Sequence, residues 1–417
     1  MRLQVGVSSL ALVGHTIGEG EAPTSRLGGQ SHETRTPEHD QATAAGERVR
    51  LLGSLEAGHS PPSTALHPSP VTPPACVAVA GAGDFGQFCL DAYRQTGDIS
   101  VAAVADPNLA GSAPRTHPEL SITASWRNLL DDPTIEVIHL ATPPLLRSEI
   151  AVPALEAGKS VFCEKPLALS LREADEILDA ARLAGRSVGV DYVLRHHPAF
   201  ELVARLSASG LFGPLRTFSL QNFAQALSGD HWMWDTEQSG GILVEHGVHF
   251  FDAYGQIAGA AEEVWGSAPR KEAVQVTVRY ASGAIGRYYH EFAWPKTVER
   301  THGIMFFERG YVEVDGWIPE RVHGRVDAPA AALEAVVGPS PHVSGEDSGA
   351  TSFDVRFPDR QDAYQSAIVD GMRDLIAKHR GPSHRMVVSA DDARDSLSLA
   401  LAARSAVVRG GRERITC

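Results

Sequence analysis

Residues 77–86 read Val77-Ala78-Val79-Ala80-Gly81-Ala82-Gly83-Asp84-Phe85-Gly86. A short apolar run, too short for a helix, ends in glycines spaced G-x-G-x-x-G, and the amphipathic run Phe85–Tyr93 follows. Strand, tight turn and helix in this order open a dinucleotide-binding βαβ unit. Gly81 permits the sharp turn, Gly83 lets the backbone approach a pyrophosphate, and Gly86 lets the helix lie close to the strand. The helix N-terminus offers free N–H groups and the positive end of its dipole to phosphates. Gly81, Ala82, Gly83, Asp84, Phe85 and Gly86 are therefore the first cofactor-binding candidates.

Working outward, a second apolar run, Ile99–Ala105, ends at Asp106, 20 residues past Gly86. An acid there can bind a ribose 2′-hydroxyl and repel a 2′-phosphate, so NAD is favoured over NADP. The plainer alternative is that Asp106 starts a turn before Pro107. From Cys76 the pattern alternates β-α-β through strands at 77–80, 99–105, 136–141, 160–163 and 187–190 and helices at 85–95, 145–157 and 171–184. Such alternation predicts a doubly wound parallel sheet, with its ligand crevice at the C-terminal strand ends.

The chain has 417 residues, 43% hydrophobic and 21% charged, enough for two globular domains. A net charge of −14 argues against nucleic acid or an anionic membrane as partner. Cys76, Cys89, Cys163 and Cys417 have no metal-ligand spacing and suit a reducing cytoplasm. Residues 1–72 are rich in Gly, Ser, Thr, Pro, Ala, Glu and His and read as a disordered or mis-started extension, ending in the proline-laden linker 60–74. The nucleotide-binding domain is expected over 73–195 and a second domain over 196–417. In the latter, strands are expected at 215–223, 274–280, 284–292, 303–307 and 311–314, in an antiparallel or mixed sheet. Helices are expected at 199–207, 241–257, 361–378 and 390–408, and a long loop over 320–358.

Two further stretches carry chemistry. Glu164-Lys165-Pro166 follows the strand 160–163, which puts Lys165 in the crevice, able to hydrogen-bond a substrate hydroxyl or transfer a proton. Taken alone, the tripeptide is also compatible with a surface lysine. In Ser239–Asp252, Glu245 and His249 are four apart and share one helix face, where a carboxylate orients a histidine and raises its basicity. His246 and Asp252 raise the thought of a metal, but no H-E-x-x-H is present, and no metal is assigned. Polar residues satisfying one another in the core are the alternative. The segment Gly229–Asp235 offers His231, Trp232 and Trp234, whose aromatic faces suit a sugar ring or the core alike.

Together these residues resemble the Gfo/Idh/MocA oxidoreductases, the glucose-fructose oxidoreductase and inositol dehydrogenase group. The resemblance spans about residues 76–410. It rests on Gly81–Gly86, Ala141-Thr142-Pro143-Pro144, Ala157-Gly158-Lys159 running into Glu164-Lys165-Pro166, the Gly240–Asp252 helix, and the run Val388–Ala393. It implies a Rossmann domain followed by a C-terminal α/β domain with an open, mostly antiparallel sheet that commonly mediates oligomers, here a homodimer or tetramer. It also implies interconversion of a secondary alcohol and ketone on a sugar or cyclitol. Lys165 is then catalytic or substrate-orienting, and His249 the proton acceptor. Thr142 and Pro143 lie near the nicotinamide, and Glu164 and Pro166 shape the turn that aims Lys165. Tyr192 and Arg195 join Glu245 and His249 as substrate contacts. This chain departs from the family in three places. Glu245 stands where Asp is usual, Leu145-Leu146-Arg147 where His or Asn is usual, and Asp191-Tyr192 where Asn-Tyr is usual. Three alternatives stay open: a bound-NAD enzyme for glycoside cleavage or sugar–sugar oxidoreduction, a non-catalytic nicotinamide-binding protein, and a Rossmann-like methyltransferase, which the Glu-Lys-Pro motif disfavours.

Overall fold

The computed structural model describes residues 73–109, 120, 122–338, 343–345 and 349–415. The expectations for residues 1–72 and for Cys417 lie outside them. The first sheet is built from β1 (Ala75–Ala80), β2 (Ile99–Ala105), β3 (Ile122–Thr123), β4 (Val137–Leu140), β5 (Ser160–Cys163) and β6 (Val188–Val190). All six are parallel, in the order β3-β2-β1-β4-β5-β6. The chain runs outward from β1 through β3, then crosses back to lay β4 beside β1. That reversal opens a crevice at the strand ends. Strands β4, β5 and β6 are buried along their whole length, as runs covered on both faces must be. The helices are α1 (Asp84–Arg94), α2 (Arg147–Glu156) and α3 (Leu171–Ala184). Ser170 caps α3 by accepting from Glu173 N–H, and Gly185 closes it in the left-handed conformation at φ 61°.

The second half holds helices α4 (Pro198–Ala208), α5 (Thr236–Ser239), α6 (Val248–Ala258), α7 (Ala330–Val337), α8 (Arg360–Arg380) and α9 (Ala390–Arg409). Its strands are β7 (Leu215–Gln225), β8 (Ala261–Arg270), β9 (Ala273–Tyr280), β10 (Ile285–Trp294), β11 (Arg300–Phe307), β12 (Gly310–Asp315), β13 (Arg321–Val326), β14 (Val343–Gly345), β15 (Thr351–Arg356) and β16 (Arg412–Arg414). They form one open sheet in the order β14-β15-β13-β12-β11-β7-β10-β9-β8-β16, in which only β7 and β10 run parallel. Among the described residues, no helix is long and apolar enough to cross a membrane.

The loop expected over 320–358 is instead β13, α7, β14 and β15. Strand β13, Arg-Val-His-Gly-Arg-Val, alternates half-buried and buried residues. Its polar side chains hide a period-2 pattern because acids on adjacent strands neutralise them: Arg321 Nε donates to Asp354 Oδ1 at 2.8 Å, and His323 Nε2 lies 3.2 Å from Asp315 Oδ2. Strand β8 also escaped the sequence reading, since it carries Gly266 and Pro269. The helix expected from Gly241 is broken. Gly240 and Gly241 take φ 79° and 80°, a π-turn follows at Leu243–Gly247, and only then does α6 begin.

Two features bring the sheets together at one site. Helix α8 comes from the second half of the chain but packs on α1, β5 and β6. Its Tyr364 ring lies 5.2 Å from Phe88, and its Arg373 pairs bidentately with Asp98 at 2.9 Å. Helix α6 presses on the inner face of the second sheet through Tyr254, whose ring meets Phe218 at 5.1 Å. The sheet makes room with glycine: a Cβ at Gly303 would stand 1.8 Å from the Tyr254 hydroxyl, and one at Gly286 would stand 2.2 Å from the Phe218 ring. Gly303→Ala is therefore expected to destabilise the fold by about 1–3 kcal/mol through overpacking, read from the shift of the urea midpoint at unchanged slope.

Candidate active site

The glycine turn between β1 and α1 is closed on two sides and open on one. Gly81 has φ 97°, and a Cβ there would stand 2.6 Å from the Ala141 carbonyl oxygen. A Cβ at Gly86 would stand 2.2 Å from the Gly81 carbonyl oxygen, whereas one at Gly83 would meet nothing within 4 Å. The open position is the one a pyrophosphate needs. Asp106 sits just past β2, where its Oδ2 accepts from Ala82 N–H at 2.9 Å and its Oδ1 from Asn108 N–H at 2.8 Å. It thus starts the turn before Pro107 and also braces the glycine turn. Each oxygen keeps a lone pair that a ribose hydroxyl can use. The residues present fit a dinucleotide.

Across the crevice, the segment after β4 and the segment after β5 are clamped by Arg147. Its guanidinium donates to the Pro166 carbonyl and, at 3.4 Å, to that of Thr142. Arg147 is fully enclosed, and burial lowers its pKa while Cys163, Glu164 and Glu245 hold it up. The departure from the family pattern at this position therefore holds the Lys165 turn in place. Thr142 Oγ1 is buried without a partner among the described residues. Lys165, joined to Pro166 by a cis peptide, reaches the second half of the chain. Its Nζ donates to Glu245 Oε1 at 2.6 Å and to the Glu245 carbonyl at 2.7 Å. An ammonium has three N–H groups, so one remains for a substrate oxygen.

Glu245 does not pair with His249, contrary to the reading from their spacing. The π-turn widens the backbone between them, so Glu245 faces Lys165 while His249 faces Tyr192 and Trp317, at ring distances of 6.2 and 5.1 Å. Nor is the His249 ring made more basic. Burial first, then the charge of Lys165, then His246, hold its pKa well below the usual imidazole value. Its Nδ1 is buried without a partner among the described residues. His246 accepts at Nε2 from Asn222 Nδ2 at 3.0 Å, and Asn222 in turn accepts from Thr301 Oγ1 at 2.7 Å. Burial and Lys165 push the His246 pKa down to about 3. His290 lies edge-on to His246 at 5.5 Å, fully buried, with both ring nitrogens unpartnered among the described residues.

The remaining sequence candidates divide. Tyr192 is fully buried with a partnerless hydroxyl beside His249. Arg195 is instead committed to the framework. It pairs with Asp252 Oδ1 at 3.2 Å and Asp392 Oδ2 at 3.6 Å and donates to the Val387 carbonyl. Its guanidinium tempers the effect of burial on Asp252, whose pKa still rises to about 7. His231 caps a short turn by accepting from Met233 N–H at 3.2 Å. Trp234 donates to the Ser228 carbonyl at 2.8 Å and lies under Lys271. The described partners of His231, Trp232 and Trp234 lie in their own loop and the β8–β9 turn, not at Lys165 or His249. Sequence reasoning missed Trp317, which stacks against both His246 and His249. Its only signal was a glycine turn before it, Gly316 at φ 99°.

Residues 76–192 match the GFO_IDH_MocA family model, described as oxidoreductase family, NAD-binding Rossmann fold, and residues 200–312 match the GFO/IDH/MocA C-terminal domain. A levoglucosan dehydrogenase of Pseudarthrobacter phenanthrenivorans is 34% identical over 158 residues, 36% of this chain and 40% of that protein. A 1,5-anhydro-D-fructose reductase of Ensifer adhaerens is 30% identical over 234 residues, 52% of this chain and 69% of that protein. The chain spans about half the length of the first curated relatives it matches. A solved levoglucosan dehydrogenase in complex with NADH and L-sorbose shares the fold, with a TM-score of 0.68 at 20% identity, covering 82% of this chain and 99% of that one.

The three enclosed histidines make the protein acid-sensitive. The folded state holds His246, His249 and His290 neutral by burial, while the unfolded chain protonates its histidines near pH 6.5. The unfolded state therefore binds more protons as pH falls through that range, and stability present above it is lost below. His290→Leu removes a buried ring without partners and is expected to stabilise by about 1 kcal/mol at neutral pH and by more at about pH 5. Paired urea titrations at the two pH values measure both.

Proposed function

Because the chain belongs to the Gfo/Idh/MocA oxidoreductase family, we propose that it interconverts a secondary alcohol and a ketone on a sugar, cyclitol or sugar derivative. The observation that carries this reading is a lysine ammonium with one N–H to spare at the end of β5, held by Glu245 in the turn that leads into α6 and His249. Gly81–Gly86, Asp106, Thr142, Pro143 and Glu164 are the residues that would hold the dinucleotide. When bound, NAD supplies the hydride acceptor in the oxidising direction.

The residues then have distinct tasks. The third N–H of Lys165 donates to the substrate oxygen and fixes its place. His249, whose burial favours the neutral ring, accepts the hydroxyl proton during oxidation. Glu245 accepts from the ammonium at 2.6 Å and keeps it pointed across the crevice. The Tyr192 hydroxyl, buried and without a partner, is available to a neighbouring substrate hydroxyl. Positioning in a site closed by Trp317 and Tyr364 supplies much of the rate. The preference for NAD over NADP rests on the Asp106 carboxylate, which would face a 2′-phosphate with like charge. The unpaired state of Cys76, Cys89 and Cys163 supports a cytoplasmic setting. Phe306 and Trp294, exposed on the second sheet at 44% and 37%, support a homo-oligomer joined through that sheet.

The test is reduced-nicotinamide absorbance with NAD or NADP and a panel of inositols, aldoses and anhydrosugars. Lys165→Ala is expected to lower kcat about 10²–10⁴-fold, the usual weight of a positioned proton-handling group, with NAD binding retained. Silence of the wild-type protein across the panel, with NADH still bound, would turn the reading toward the bound-NAD alternative. Asp106→Asn keeps an acceptor for the Ala82 N–H and loses only the charge. It is expected to weaken NAD about tenfold while narrowing the gap to NADP. Equal loss of both cofactors would remove the basis for the NAD preference.

A further inference from the structure

Glu164 and Asp191 hold equivalent places at the ends of neighbouring strands. Strands β5 and β6 pair in parallel with Cys163 opposite Val190, so the next residues, Glu164 and Asp191, stand side by side. Asp191 N–H donates to the Cys163 carbonyl at 2.8 Å. Both carboxyl groups are buried, at 6% and 1% exposure. Neither Asp191 oxygen meets an N–H or O–H donor among the described residues. The group that the strand register sets beside them is the carboxyl of Glu164, and two carboxyl groups bond to each other only through a proton.

Which of the two carries that proton follows from a chain of contacts beneath them. Tyr93 Oη lies 2.8 Å from His139 Nδ1, and His139 Nε2 lies 3.3 Å from Glu164 Oε1. A carboxylate oxygen only accepts, so His139 carries a hydrogen on Nε2 and donates it to Glu164. Glu164 thus receives a donor as an anion does, and Asp191 is left to supply the shared proton. Cys89 comes close as well, its sulfur lying with a His139 nitrogen and a Glu164 oxygen within 4.8 Å of one another. Both His139 nitrogens are already used, however, so the group forms a hydrogen-bonded chain.

The charges around the pair balance on the same assignment. After burial, the charged side chains that bear on Asp191 are Glu164, which raises its pKa, and Lys165, which lowers it. Cys89, Tyr93 and Tyr364, which also face the pair, are kept neutral by burial and by these carboxylates. Lys165 offsets the Glu164 anion, and a protonated Asp191 adds no second one. An ionised Asp191 would leave an uncompensated charge out of water, which costs several kcal/mol or forces a proton on.

We propose that Asp191 is a positioning residue: it shares one proton with Glu164, and this carboxyl–carboxylate bond ties the ends of β5 and β6 so that Lys165 and Tyr192, the next residue after each, open into the same crevice. Asparagine at this position keeps the donor, so the tie survives in Asp191→Asn. A leucine removes it. Loss of the proton at alkaline pH puts two anions in contact and drives the strand ends apart.

The dehydrogenase reading is needed only for the kinetic arm of the test. The infrared difference spectrum between the full-length protein and Asp191→Asn is recorded in mildly alkaline buffer, above the titration of Asp252. The wild type is expected to show the C=O band of a protonated carboxylic acid that shifts in D₂O and is absent from the variant. Loss of a carboxylate band instead would mean that Asp191 is ionised and would overturn the proposal, whether or not a substrate has been found. With a substrate in hand, Asp191→Asn is expected to keep kcat within about threefold, since an amide donor replaces the carboxyl donor. Asp191→Leu is expected to lose kcat on the order of 10²-fold, the cost of a misplaced reacting group, with KM for NAD little changed. Equal loss in both variants would show that the shared proton is not what positions Lys165.

Discussion

An ammonium group largely withdrawn from water, held at 2.6 Å by a carboxylate 80 residues later in the chain, joins the two halves of this protein. Lys165 leaves the end of a parallel strand and Glu245 leaves a π-turn that precedes the helix of the second sheet. Two largely buried charges of opposite sign hold each other at contact, at the cost of fixing the distance between a strand end and a helix start. The surrounding framework is what makes that distance hold. Arg147 grips the Lys165 turn from one side, and helix α8 seats the second half of the chain on the first sheet through Tyr364 and Arg373.

Glycine works at the same site in two opposed ways. At Gly81 and Gly86 the missing side chain lets one backbone approach another, and at Gly83 it leaves space for a ligand. At Gly286 and Gly303 it leaves pits in a sheet that large rings fill, which brings α6 down and sets His249 at its depth. The crevice is therefore lined by residues whose positions were settled by contacts well outside it.

The parallel half was legible in the sequence because its strands are short, mostly apolar runs, of which β4, β5 and β6 are buried throughout; the strands 99–105 and 160–163 and the helix 171–184 begin and end where the periodicity places them. Much of the open sheet was legible by alternation. Strand β13 was not, because Arg321 and His323 are satisfied by acids on the strands that flank β13 in the sheet, and polarity alone resembles a loop. The pairing of Glu245 with His249 was misread for a different reason. A spacing of four implies a shared face only if the turn between is α-helical, and the π-turn at Leu243–Gly247 breaks that premise. Arg195 was read as a substrate contact, yet Asp252 and Asp392 claim it. Trp317 had no periodic signal to find, since it enters the site from a turn.

The carboxylate at position 245 still serves the histidine, though by way of the lysine. If an alcohol proton moves to His249, a positive charge forms in an enclosed place that already holds the charge of Lys165. Two cations there without compensation would oppose the transfer, which is the same electrostatics that keeps the resting ring neutral. Glu245 offsets the ammonium at contact distance, and the imidazolium then sees a pair rather than a lone charge. A direct Glu245–His249 bond would give the ring more basicity but would leave Lys165 without its carboxylate partner. The wider turn spends the carboxylate on the lysine, and the site keeps both a charged donor for the substrate oxygen and a neutral acceptor for its proton.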